Sequence, residues 1–131
     1  MRNSLVFATA LVGALMVVAP MAAHHSFAAE YDSKKPVTLK GIVTKVEWMN
    51  PHVYFYLDVT DDNGKTTNWA LEMGAPSGLQ RQGWTRNTLQ VGDQVTVEAS
   101  RARNGSNLAN ARNVFKDGKK LGAASSEGQG N

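Results

Sequence analysis

From position 37 onward, apolar and polar residues alternate with the period of two that marks half-buried β-strands. The clearest run is 52–60. There Val53, Phe55, Leu57 and Val59 fall on one side and His52, Tyr54, Tyr56 and Asp58 on the other. Before it, 37–48 reads as a first strand whose phase changes. Leu39, Gly41 and Val43 share one face, and Val46 and Trp48 share the other. Such a change requires a bulge or a coil, and Gly41 is the expected bend. Met49-Asn50-Pro51 separates these two strands. A third strand, 65–73, follows the turn Asp61-Asp62-Asn63-Gly64 and places Thr67, Trp69, Leu71 and Met73 together.

The register of this hairpin follows from burial. A two-residue Asn-Gly turn would set Phe55 opposite Glu72, an apolar residue against a charge. A three-residue loop, Asp62-Asn63-Gly64, pairs Leu57 with Trp69, Phe55 with Leu71 and Val53 with Met73. Since a slip of one residue turns every side chain to the other face, the second register is expected. Gly64 then takes the left-handed position of a bulged hairpin. On the outer face Tyr54 lies opposite Glu72 and Tyr56 beside Ala70.

Downstream, Gly74-Ala75-Pro76 ends the sheet segment. Residues 77–82 suit one or two helical turns, with Ser77 and Gln80 spaced as a capping box and Gly83 as the stop. Trp69 and Trp84 are assigned to the core, Trp84 as an end plug. A fourth strand is expected over 94–103, with Val95, Val97 and Ala99 inward, and a fifth over 108–115. Lys120-Leu121 can add a short return. Three strands, a short helix and two strands make the order of an OB-fold. The expected fold is therefore all-β: a small five-stranded OB-fold-like Greek-key barrel with one short helix between strands three and four. A β-sandwich competes, but sandwiches use about seven strands.

The start of the chain has a different character. Arg2, an apolar run over 5–18 and the exit Pro20-Met21-Ala22-Ala23 have the layout of a secretory signal peptide. The run is shorter than the roughly 20 residues of a spanning helix. The expected organisation is a signal peptide at 1–23, an N-terminal arm at 24–36, a barrel at 37–121 and a disordered tail at 122–131. His24 becomes the new N-terminus, and the expected location is the periplasm, with no membrane anchor after cleavage. The chain has no cysteine, which excludes disulfides, thiolate metal sites and lipid attachment at the signal. Arg2 is the one charge in the first 23 residues, so 13 basic residues face 11 acidic ones in the remainder. That balance is too mild to point to nucleic acid.

Several segments carry a resemblance. They are His24-His25-Ser26-Phe27-Ala28-Ala29-Glu30-Tyr31-Asp32, Asn50-Pro51-His52-Val53, Asn68-Trp69-Ala70, Glu72-Met73-Gly74, Gly83-Trp84, Gly92-Asp93 and the run NLANAR at 107–112. As a set they resemble an uncharacterised family of small exported bacterial proteins, a domain of unknown function. The resemblance implies no established activity.

Two groups of residues offer chemistry. A free N-terminal His24 presents an α-amino and a ring nitrogen to one metal, and His25 and His52 can add nitrogen ligands. Such a set favours Cu(II), with Ni(II) and Zn(II) below it. At His24 and His52 it resembles, locally, the N-terminal histidine brace of exported copper proteins. The plain alternative is an exposed His-His pair, with Asn50-Pro51-His52 acting as a strand breaker. The second group is a ligand-binding face of Trp48, Tyr54, Tyr56 and Glu72 on strands two and three, where OB-folds take oligonucleotides or sugars. It would serve an unknown protein, glycan or small ligand. In its own alternative, the arm covers these tyrosines through Phe27 and Tyr31. The basic residues Arg81, Arg86, Arg101, Arg103 and Arg112 are scattered and read as solvated surface. Neither a nucleophile elbow nor phosphate-loop spacing is present, so no enzymatic activity is expected.

Overall fold

In a computed structural model, which describes residues 27–128, the hairpin takes the three-residue register. Its strands are β2 (Tyr54–Thr60) and β3 (Thr66–Glu72). Leu57 lies opposite Trp69, Phe55 opposite Leu71 and Tyr54 opposite Glu72. Gly64 has a φ of 81°. The Asp61 carboxylate accepts the Asn63 and Lys65 amides, 2.9 Å each, as an Asp at a turn entrance does.

Strand β1 (Tyr31–Glu47) pairs with β4 (Gln94–Ala102) through its first part and with β2 through its last part. The phase change expected at Gly41 occurs instead between Val43 and Lys45, where Thr44 is the extra residue of a bulge. Gly41 has a different task. A Cβ there would lie 2.4 Å from the Asp58 carbonyl oxygen, so only glycine lets β1 approach β2 this closely.

The short helix, α2 (Pro76–Arg81), starts earlier than the capping-box pattern suggested. Ala75 is the N-cap with no side-chain bond, and Pro76 opens the first turn. The fixed φ of proline suits that position and outweighs the Ser77 signal. Strand β5 (Leu108–Lys116) then pairs antiparallel with β4 and, over Leu108–Asn110, parallel with β3. The order β3-β2-β1-β4-β5, closed by β5 on β3, makes a Greek-key barrel. A sixth strand, β6 (Lys119–Ala123), extends the expected five. The barrel interior holds Val43, Phe55, Leu57, Leu71, Val97, Val114 and, at one end, Trp84.

Both flanks are more ordered than their composition suggests. The described part of the arm is a helical turn, α1 (Phe27–Glu30), followed by the first residues of β1, with Tyr31 opposite Ala102. Arg103 fastens it: its amide donates to Glu30 O at 2.9 Å and its Nε to Ala28 O at 2.8 Å. Beyond 121, where disorder was expected, the chain is packed as far as Ser126. Ala124 is fully buried, accepts from the Gly74 amide at 2.9 Å, and is preceded by Ala123, whose carbonyl takes the Trp84 indole proton at 3.0 Å. A segment held by backbone hydrogen bonds and one small apolar residue leaves no periodic trace in the sequence. Among the described residues, no helix is long and apolar enough to cross a membrane.

Candidate functional site

The alternation that sends Phe55 and Leu71 inward sends Tyr54 and Glu72 outward as a cross-strand pair. Outward does not mean solvated. Glu72 also pairs with Asn110 of β5, so it lies in the middle of a closed sheet. Tyr31, arriving from the arm, covers it, and Glu72 is 3% exposed. Its role as an exposed ligand contact is therefore corrected: Glu72 is a buried carboxylate with its own partners. Oε2 accepts the hydroxyls of Tyr54, at 2.8 Å, and of Tyr31. Oε1 faces His52 Nδ1 at 2.6 Å. Three partners on one carboxylate meet the desolvation cost that a lone buried charge would impose.

The electrostatics follow from this packing. Burial first, then the bond to Glu72, pushes the Tyr31 hydroxyl well above the usual phenol range. The same causes, in the same order, raise Tyr54. Both phenols remain neutral donors across the physiological range. His52 sits at the rim, its side chain about one-third exposed (32%), just after the cis Asn50–Pro51 bond. With Nδ1 directed at the carboxylate, its other ring nitrogen, Nε2, is the one left for a further ligand. A histidine oriented by a carboxylate in this way is the usual arrangement of a metal-ligating imidazole.

His52, Tyr54 and Glu72 are thus brought together. Tyr56 is not part of this group. Its hydroxyl donates to Glu47 Oε2 at 3.3 Å, and Lys45 Nζ lies 5.4 Å from its ring centre. Trp48 packs, partly buried, against the core. His24 and His25 lie outside the described residues. Among the described residues no group of three or more His, Cys, Asp or Glu side chains could hold a metal ion. Sequence reasoning gave Tyr31 only a covering role and missed its bond to Glu72. Its one signal is the aromatic pair Phe27 and Tyr31, whose ring centres lie 5.4 Å apart. It also missed Asn110, fully buried beside Glu72 and bonded to Ser125 at 2.9 Å.

The profile of a family of unknown function, DUF6152, matches residues 13–111. The chain belongs to the DUF6152 family. The match takes in every candidate residue of this DUF6152 protein, from His24 to Glu72, and ends before β6. Among solved structures, it is similar to the mitochondrial single-stranded DNA-binding protein Rim1 of S. cerevisiae. That likeness has a TM-score of 0.51 at 10% identity and covers 63% of this chain and 93% of the other. It shows the OB-fold-like barrel and nothing of the ligand. No curated protein matches the chain.

Proposed function

We propose that this DUF6152 protein is a small exported binding module without enzymatic activity that holds copper through His52 together with His24 and His25. The observation that carries the reading is the Glu72 carboxylate at His52 Nδ1, 2.6 Å away, which leaves Nε2 for a metal. Three imidazoles and a free α-amino group form a nitrogen-rich set of the kind Cu(II) prefers. The leader-like start of the chain supports export to the periplasm and a new N-terminus at His24. The ligand in the name of the Rim1 neighbour, single-stranded DNA, fits this chain less well. The charge balance is mild, and Glu47 stands beside Tyr54 and Tyr56 on the outer face. The reading as a protein- or glycan-binding face is less favoured, because the Glu72 carboxylate is taken up by the hydroxyls of Tyr54 and of Tyr31 from the arm.

The test is a Cu(II) titration with EPR on protein beginning at His24, beside a form extended by one Met. One-to-one binding with nitrogen couplings is expected, weakened in the Met-extended form and in His52→Ala. Binding indifferent to both changes would overturn the proposal.

A further inference from the structure

The barrel closes where β5 meets β3, and that seam is short. Three register pairs make it: Ala70 with Leu108, Leu71 with Ala109 and Glu72 with Asn110. Its inner side is apolar, since Leu71, Ala109 and Ala111 belong to the core. Its outer side is the adjacent pair Glu72 and Asn110, both polar and both buried. Each is held by a different end of the described chain. Glu72 Oε2 accepts the hydroxyl of Tyr31 from the arm. Asn110 Oδ1 accepts the Ser125 hydroxyl at 2.9 Å, and its Nδ2 donates to Ser126 Oγ. We infer that the arm and the tail are two halves of one latch over this seam, docking and releasing together, with Tyr31 on one side and Ser125 and Ser126 on the other. The latch is made of protein groups alone and stands apart from the metal reading.

Each half also bridges strands of the seam. Tyr31 pairs with Ala102 on β4, the neighbour of β5, and bonds to Glu72 on β3. In the tail, the Ala124 carbonyl accepts the Gly74 amide just beyond β3, and the Ala124 amide donates to Arg112 O on β5 at 3.3 Å. When the tail releases, Asn110 loses two partners and water reaches it. Glu72 lies beside it in register, so its dry surroundings are lost as well. A hydrogen bond that is strong when dry weakens once water competes, and Tyr31 is then held less firmly. When the arm releases, the same events run from Glu72 to Asn110. Linkage makes the two effects equal in free energy. Local openings of this kind are smaller than global unfolding and leave the rest of a domain in place. What this one uncovers is a polar row, Tyr54, Glu72, Asn110 and Ser100, running across β2, β3, β5 and β4. The latch sets when that row meets solvent.

The experiment is amide hydrogen exchange by mass spectrometry on the intact protein. Three peptides are read: the arm at 27–33, the tail at 122–128 and, as a control, the hairpin turn at 58–68. Ser125→Ala combined with Ser126→Ala removes the hydroxyls on Asn110 and keeps Ala124. This double variant is expected to speed exchange of the tail and, about tenfold, of the distant arm, within the ordinary range of site-to-site coupling. Tyr31→Phe, which keeps the ring against Phe27, is expected to speed exchange of the tail by the same factor. The turn should exchange as in wild type in both.

An arm whose exchange is unchanged in the double serine variant would overturn the inference, as would a tail unchanged in Tyr31→Phe. A turn that speeds up as much as the arm would also overturn it, because that pattern is a general loss of stability and not a latch. The double serine variant carries the test by itself where Tyr31→Phe fails to fold.

Discussion

The two faces of the β2–β3 hairpin share one backbone and one register, yet they are held by different physics. The inner face, with Phe55, Leu57 and Leu71 fully buried, is stabilised by removing apolar surface from water. The outer face divides along its length. At the turn end, Asp58, Asn68, Thr60 and Thr66 bond to one another in contact with solvent. At the other end, Tyr54 and Glu72 are roofed by Tyr31, and polar atoms do there what apolar packing does inside. Apolar burial asks only for shape. Polar burial asks for each partner by name, so a single lost hydroxyl leaves Glu72 short of a donor, while the inner face loosens by degrees.

Three measurements can break or sharpen this contrast. The largest effect is expected inside. Leu71→Ala should cost about 2–5 kcal/mol in denaturant unfolding, from lost transfer energy and the cavity left behind. A cost no larger than that of an outer-face change would erase the distinction. The roofed end has its signature in alkali. The Tyr31 and Tyr54 hydroxyls have folded pKa values raised above the unfolded value of 10.0. Their stabilising contribution is therefore whole below that pH and is lost as pH rises through the folded values, because the unfolded chain releases these protons first. Stability should fall by up to about 1.4 kcal/mol per pH unit for each tyrosine above pH ~10. Urea midpoints between pH 8 and 11 should show the fall, and the double variant Tyr31→Phe, Tyr54→Phe should flatten it. A level wild-type profile would mean that the phenols are not desolvated together. The smallest effect belongs to the turn end. Asn68→Ala removes its bonds to Asp58 at 2.8 Å and Thr44 at 3.2 Å, but in contact with water it should change stability by less than about 0.5 kcal/mol.

The hairpin was legible because its register is decided by burial alone: only one loop length keeps Phe55 away from Glu72. The barrel order followed from strand count and the position of the helix. The bend in β1 was not legible at the right residue. Glycine marks both bends and close approaches, and Gly41 belongs to the second kind, while Thr44, the bulged residue, has no distinguishing chemistry. Of the site, His52, Tyr54 and Glu72 were recognised as candidates for separate tasks. Their union was not, because it depends on Tyr31 and on the β3–β5 closure. Those contacts are long-range and leave no periodicity. Trp48, which could belong to the core or to the face, packs partly buried against the core; at the end of a bent strand, alternation does not tell inside from outside.

Ala124 has a consequence for how the barrel assembles. It is fully buried, its carbonyl takes the Gly74 amide, and the serine after it bonds to Asn110, 15 residues back in the chain. Tyr31 likewise pairs with Ala102, far along the sequence. The barrel is thus closed on both flanks by contacts between distant parts of one chain, and such contacts form slowly.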